Sequence, residues 1–163
     1  MSTTTSAIDA RGYLSGWLQG LQGMYTADIN AIPDDKWKDT FGGCTRSACE
    51  LTADAVAFTD WVARAINGDV DPNYNPDTMK VFVDRCSTKE GAVAGLQQHC
   101  TALFNAITTA SDDDLQRTIT APWGMDTPAF MLAHIAVSHL WYHDGQLNYI
   151  QSLLGDGQVH WMH

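Results

Sequence analysis

The chain has 163 residues, the usual size of one domain, and 45% of them are hydrophobic. This composition excludes an intrinsically disordered chain, which contains few apolar residues. Nine basic residues stand against 19 acidic ones, and the net charge of -10 repels nucleic-acid phosphates and anionic lipid headgroups. We therefore expect a single folded domain over residues 1–163 with neither a nucleic-acid nor a membrane partner.

The N-terminus and the cysteines predict a cytoplasmic location. No apolar run approaches the ~18 residues that cross a bilayer, and Met1–Ser6 lacks the basic and apolar parts of a signal peptide. The four cysteines have neither C-x-x-C spacing nor the density of a secreted disulfide scaffold. They are Cys44, Cys49, Cys86 and Cys100. We expect free thiols in a reducing compartment.

Apolar residues recur at helical spacing in four long stretches. The first runs from about Ala7 to Ile29. The second begins at Ser47, where a glutamate three residues later gives the spacing of a capping box, and ends before Gly68, a residue typical of a helix C-terminus. The segment from Pro76 to Arg85, which follows a Pro/Asn/Asp-rich loop, predicts a short helical turn.

The third and fourth stretches have start signals of their own. Ser87 and Glu90 repeat the capping-box spacing and predict the start of the third helix. Thr127 followed by Pro128 predicts the N-cap and first residue of a fourth helix that runs to Leu154. No segment gives a convincing strand pattern. The fold class is therefore all-α, a four-helix bundle in which side chains on facing helices form the sites.

Two histidines on the fourth helix indicate a metal site. His139 and His143 are one turn apart in the middle of an otherwise aliphatic stripe, a spacing that lets two imidazoles share one ion. The alternative is a pair of buried, hydrogen-bonded core histidines. The helical wheel places Gln146 beside this pair, His134 on the opposite face at the surface, and Asp144 on another face in solvent.

Asp54 is the candidate third ligand. It lies near the edge of the apolar face of the second helix, and aspartate is a poor residue in the middle of a helix. A metal ion shared with His139 and His143 would give its carboxylate a partner. Two histidines and one carboxylate leave coordination positions open and suit Fe(II), Zn or Ni. The alternative is an ordinary solvated helix residue.

The last helix carries a motif that resembles the DinB/YfiT-like superfamily. The motif runs from His139-Leu-Trp-Tyr-His143 through Gly145-Gln146 and is followed by Gly155. The upstream order is also similar to that family: an Ile32-Pro-Asp-Asp35 turn, a Gly42-Gly43 loop, and Ala121-Pro-Trp-Gly124 before the last helix. The resemblance implies a four-helix bundle, often dimeric, that holds a divalent metal with three histidines. Two of these match His139 and His143.

The resemblance also bears on the third ligand and on function. The family's third histidine lies on the second helix in the pattern S-x-x-E-L-x-x-H, where this chain has Asp54 in the histidine position. Relatives transfer low-molecular-weight thiols, isomerise thiol conjugates or are assigned as hydrolases. The resemblance therefore implies a metal-activated thiolate or water that acts on a small molecule. Gln146 would orient a ligand, hydrogen-bond a substrate, or only complete the packing.

Two alternatives remain open at this point. The Asp54 substitution also fits a non-catalytic stress-response or binding protein whose metal site has degraded. If Asp54 is not a ligand, His160 and His99 are the next candidates.

The C-terminal extension, residues 156–163, suggests an interface. Its apolar residues Val159, Trp161 and Met162 are expected to pack on the bundle or on a second subunit. Together with the family resemblance, they predict a homodimer.

Overall fold

The computed structural model describes residues 9–69 and 74–162. The predicted helix start at Ala7, part of the loop before Tyr74, and His163 lie outside these ranges. The described elements, in chain order, are α1 (Ala10–Ala31), a 3₁₀ helix (Asp34–Lys36), α2 (Ala48–Ile66), α3 (Pro76–Arg85), α4 (Lys89–Thr109), α5 (Asp112–Gln116), β1 (Thr118–Thr120), β2 (Asp126–Pro128) and α6 (Ala129–Leu153).

The four long helices form the bundle, so the predicted all-α four-helix architecture is confirmed. Helices α1 and α2 each pack against both α4 and α6. Helix α2 is the most buried, because all of its residues except its four charged ones are inaccessible to solvent. These four are Glu50, Asp54, Asp60 and Arg64. In the described ranges, no helix combines the length and apolar character needed to cross a membrane.

Helix α2 begins and ends as the sequence predicts. The Ser47 hydroxyl accepts a hydrogen bond from the Glu50 amide, and the Glu50 carboxylate accepts one from the Ser47 amide at 2.8 Å. This capping box satisfies two backbone donors that a helix start otherwise leaves free. Gly68 follows the helix with φ +91°, a conformation that glycine adopts without a steric cost. The segment from Pro76 to Arg85 is a full ten-residue helix rather than a short turn.

The predicted capping box at Ser87 does not form. The N-cap of α4 is Thr88, whose hydroxyl accepts a hydrogen bond from the Gly91 amide at 3.1 Å. The Ser87 amide instead donates to the Asp84 carbonyl oxygen and so belongs to the turn that ends α3. The sequence pattern correctly predicted a hydroxyl N-cap at the start of this helix but placed it one residue too early, because Ser87 belongs to the turn that ends α3.

A small antiparallel hairpin precedes α6, and the prediction of no strand was wrong. β1 pairs with β2, with Thr118 opposite Pro128. Strands of three residues are too short to show an alternating pattern. Thr127 consequently lies in β2, and Pro128 is the N-cap residue of α6 without a side-chain cap. The first amide of α6, on Ala129, donates to the Arg117 carbonyl oxygen instead.

Several apolar side chains remain exposed on the outside of the bundle. Trp17 on α1 stacks on Trp141 on α6 with ring centroids 4.8 Å apart, although both rings are partly open to solvent. In the C-terminal extension, Val159, Trp161 and Met162 are also exposed. The bundle therefore does not cover the apolar residues of the extension.

Candidate metal centre

Helices α2 and α6 bring the three predicted ligands together. The Nε2 atom of His143 lies 3.0 Å from Nε2 of His139 and 3.3 Å from Oδ2 of Asp54. The third distance, from His139 Nε2 to Asp54 Oδ2, is 3.9 Å. No other three His, Cys, Asp or Glu side chains within residues 9–69 and 74–162 converge in this way. One turn of α6 supplies both imidazoles, and α2 supplies the carboxylate from the facing side.

Gln146 fixes the orientation of the His143 ring. The Nδ1 atom of His143 and the Oε1 atom of Gln146 are 2.7 Å apart, and because a carbonyl oxygen only accepts, Nδ1 is the donor. Neutral His143 then carries its lone pair on Nε2, the atom that faces the other two ligands. The Gln146 amide nitrogen donates to the Tyr142 hydroxyl at 3.3 Å, which fixes the amide in this orientation. Such bonds set the tautomer of metal-binding histidines.

His139 is held in a neutral state. Burial lowers its pKa to about 4, with a further contribution from His143 nearby. Its ring packs edge-on against Phe58, with centroids 5.1 Å apart. Its Nδ1 atom is buried without a hydrogen-bond partner among the described residues. A neutral imidazole is the form that binds metal ions.

Asp54 is ionised and anchored at both oxygens. Its burial opposes ionisation, but the adjacent His143 ring and the hydrogen bonds donated by Arg46 and Tyr74 outweigh this and hold its pKa well below the usual range. The Nη1 atom of Arg46 donates to Oδ2 at 2.7 Å, and the Tyr74 hydroxyl donates to Oδ1 at 2.7 Å. The alternative of a solvated aspartate is therefore wrong. Neither Arg46 nor Tyr74 is related to Asp54 by helical spacing, so the sequence pattern did not indicate them.

The three side chains fit a divalent ion. Two ligands bound tetrahedrally to one zinc ion, with bonds of about 2.1 Å, lie about 3.4 Å apart. The observed separations of 3.0, 3.3 and 3.9 Å bracket this value. Two imidazole nitrogens and one carboxylate oxygen leave further coordination positions open, as in catalytic rather than structural sites.

The other histidines do not join this group. His134 is exposed on the outer face of α6, as the helical wheel predicts. The His160 ring lies 2.7 Å from an oxygen of Asp156, and the His99 ring lies 3.1 Å from an oxygen of Asp60. Both candidate replacement ligands therefore have partners elsewhere.

The prediction that Asp144 is solvated was wrong, because α1 covers that face of α6. Asp144 is buried next to Asp28, which is also buried. Burial and the nearby Asp28 charge raise the pKa of Asp144 above its ordinary value. Asn148 and Gln151 donate to the Asp28 carboxylate at 2.8 and 3.2 Å. We call these four residues the α1–α6 polar cluster.

A pocket of about 370 Å³ adjoins the metal centre. It lies between the loop that precedes α2 and the C-terminal half of α6. Arg46 and Gln146 line it, and each contacts one of the candidate ligands. Trp123 in the hairpin turn packs near Phe58, the ring that contacts His139, with ring centroids 6.0 Å apart.

The fold and the site together define a four-helix bundle with a candidate metal centre between its second and last helices. Residues 30–147 match the DinB superfamily. The chain belongs to this superfamily, and the resemblance found in its sequence motifs is confirmed. Among curated proteins, none matches the chain.

Solved structures with the same fold include proteins of several kinds. The mycothiol-dependent maleylpyruvate isomerase has a TM-score of 0.65 and 16% identity, and the alignment covers 90% of this chain but 63% of the isomerase. A DinB-like protein from Bacillus subtilis has a TM-score of 0.60 and 18% identity, with 88% and 92% of the two chains covered. A structure assigned to the DinB family from Exiguobacterium sibiricum has a TM-score of 0.71 and 20% identity, with 92% and 95% covered. Likeness at this level of identity shows a common fold.

Proposed function

We propose that the protein is a divalent-metal-dependent enzyme that acts on a small molecule, as a thiol transferase or a hydrolase. The observation that carries this proposal is the convergence of Asp54, His139 and His143, whose ligand atoms lie within 4.8 Å of one another. The lowered pKa of His139 favours its neutral form, and the lowered pKa of Asp54 favours its ionised form. These are the protonation states in which both side chains bind a metal ion.

The residues of the site have separate roles in this proposal. Asp54, His139 and His143 hold the ion, which is zinc, nickel or iron. When bound, such an ion supplies a Lewis acid that favours the deprotonated form of a thiol or water molecule. Gln146 keeps the His143 lone pair directed at the ion, and Arg46 and Tyr74 keep the Asp54 carboxylate in place. Asp54 in place of a third histidine lowers the charge of the site by one and favours harder ions.

A low-molecular-weight thiol is the substrate or cosubstrate that we propose. The support comes from the isomerase of the same fold, which depends on mycothiol by its name. The chain spans 63% of that isomerase, so its substrate is carried over to this protein only as a proposal. The four free cysteines support the further proposal of a reducing, cytoplasmic location.

Metal analysis of the protein purified without an affinity tag tests this function. We expect about one ion per chain after supplementation with zinc, nickel or iron, and loss of the ion in His139→Ala and His143→Ala with circular dichroism unchanged. His134→Ala is the matched control, because it removes an exposed histidine from the same helix. Absence of any ion from the wild-type protein under all three supplements would contradict the proposal and support a non-catalytic binding protein.

We also propose that the protein forms a homodimer. Support comes from the exposed Trp17–Trp141 stack and from the exposed apolar residues of the C-terminal extension. A chain that ends at Gly155 should associate more weakly or be less stable than the full chain, as measured by sedimentation and by thermal unfolding. A full-length chain that sediments as a monomer would contradict the dimer.

A further inference from the structure

The pocket beside the metal centre has an unusual charge. Among the described residues that line it, none is acidic, and Arg46 is the one charged side chain. The protein as a whole has 19 acidic and 9 basic residues. A pocket whose single charge is positive, on so acidic a chain, favours an anion over a cation.

Arg46 is able to bind a second anionic group. It donates to Asp54 through Nη1, and in the described part of the chain its remaining guanidinium N–H groups have no hydrogen-bond partner. Its side chain is 44% exposed. A guanidinium presents several donors in one plane and pairs with a carboxylate through two of them.

Apart from Cys44, Thr45 and Gln146, the remaining residues that line the pocket are apolar or aromatic. Leu51 on α2 and Ile150 and Leu153 on α6 contribute aliphatic side chains, and Tyr142 and Tyr149 add two rings. A volume of about 370 Å³ is at the small end of the range for ligand pockets. The walls therefore fit a compact apolar or aromatic group with its charge at one end.

A metal ion in the centre would strengthen this preference. Without the ion, the Asp54 carboxylate balances the Arg46 charge. A divalent ion held by Asp54 and the two histidines would add two positive charges beside Arg46, so the site would become cationic overall. Metal and anion should therefore bind cooperatively, each raising the affinity of the other by the same factor.

We propose that this pocket binds small carboxylates with an apolar or aromatic body, and that Arg46 recognises the carboxylate. The proposal names the substrate class of the metal centre and, in its metal dependence, rests on the proposed function. Anion recognition by Arg46 itself requires no metal.

Phenylacetate and its uncharged analogue phenylacetamide test the assignment. Titrations followed by ¹⁵N NMR should show phenylacetate binding about tenfold or more tightly than phenylacetamide to the zinc-loaded protein. The perturbed amides should lie in the loop before α2 and in the second half of α6. Removal of zinc should weaken phenylacetate binding and leave phenylacetamide binding unchanged.

Four variants separate the role of Arg46 from that of its surroundings. Arg46→Gln should bring the two affinities to the same value, whereas Arg46→Lys should keep most of the preference for the anion. Arg85→Gln removes an arginine outside this pocket and should behave as the wild type. Leu153→Ser should weaken both probes equally, because both carry the same ring.

Zinc content, measured in every sample, distinguishes the two proposals. If the wild type binds no zinc, the proposed function fails, and the zinc-free protein still tests Arg46 through its preference for phenylacetate. Equal binding of the two probes by the wild type would overturn the inference. So would an undiminished preference in Arg46→Gln, which would show that the carboxylate binds elsewhere.

Discussion

Two polar clusters lie on opposite sides of α6, and they are built from similar residues. His143 and Asp144 are neighbours in sequence, but His143 faces α2 and Asp144 faces α1. In each cluster an aspartate of the opposing helix meets the α6 side chain: Asp54 in the metal centre and Asp28 in the α1–α6 polar cluster. The difference between the clusters lies in how their lone pairs are satisfied.

In the α1–α6 polar cluster the Asp28 carboxylate has donors of its own, while Oδ1 of Asp144 and Oε1 of Gln151 are buried without a hydrogen-bond partner among the described residues. The Asp28 carboxylate accepts hydrogen bonds from Asn148 and Gln151, and the raised pKa of Asp144 favours a protonated carboxyl beside it. A buried acidic pair that shares a proton and accepts amide hydrogens needs no ion. This cluster is therefore best understood as part of the packing between the two helices.

In the candidate metal centre, hydrogen-bond acceptor atoms converge on one point, and few N–H or O–H groups are available there to donate to them. His143 already donates through Nδ1 to Gln146, and Asp54 has a pKa well below its usual range. Two aspartates in one bundle thus have pKa shifts of opposite sign, because Asp54 faces donors and Asp144 faces another acid. The comparison indicates that the balance of donors and acceptors, not burial alone, distinguishes the candidate metal centre from the α1–α6 polar cluster.

Replacement of Asp54 should give the largest effect on metal binding. Asp54→Ala removes one of three ligands and should lower zinc affinity by more than about 100-fold, beyond the usual loss for a residue that only supports a ligand. Asp54→His should retain binding and shift the preference toward zinc or nickel. Competition titration with a chromophoric chelator measures both.

The control for this change is Asp84→Ala, which removes an exposed aspartate from α3. It should leave zinc affinity unchanged. Undiminished metal content in Asp54→Ala would show that the carboxylate is not a ligand.

Replacement of Asp28 should affect folding and not metal binding. Asp28→Ala removes the acceptor for one buried and one half-buried side-chain amide and should lower the free energy of unfolding by about 1–3 kcal/mol. Urea denaturation measures this loss, and zinc affinity of the folded variant should stay within about twofold of the wild type. A large loss of metal affinity would mean that the two clusters are not independent.

Gln146 and Asn148 provide a matched pair of smaller changes on α6. Gln146→Ala should lower zinc affinity by about 10- to 100-fold, because the His143 ring loses the acceptor that orients it. Asn148→Ala should leave zinc affinity unchanged and lower the free energy of unfolding by about 1 kcal/mol, with the gain in helix propensity included. An equal loss of zinc affinity in Gln146→Ala and Asn148→Ala would contradict the proposed difference between the two clusters.

Helical periodicity predicted the bundle and the placement of both candidate histidine ligands on one face, because these depend on local spacing. His139 and His143 are one turn apart on one helix, and the motif around them indicated the superfamily before the structure did. Asp54 was identified as an acid in an apolar helix that required a partner. These features can be read from a single segment of sequence.

The features that the sequence did not predict depend on contacts between segments. Tyr74 reaches Asp54 from a different segment across 20 residues of sequence. Asp144 was assigned to solvent because a helical wheel with one buried face cannot show that α1 and α2 cover two sides of α6. The start of α4 was placed one residue early because the competing end of α3 determines the role of Ser87.

A crystal of the protein grown with zinc and examined by anomalous diffraction at the zinc edge tests the central claim most directly. We predict one strong peak between α2 and α6, within about 2.0–2.2 Å of His139 Nε2, His143 Nε2 and an oxygen of Asp54. A peak bound to the two histidines without Asp54, or no peak at this position in a crystal whose zinc content is confirmed, would contradict the account.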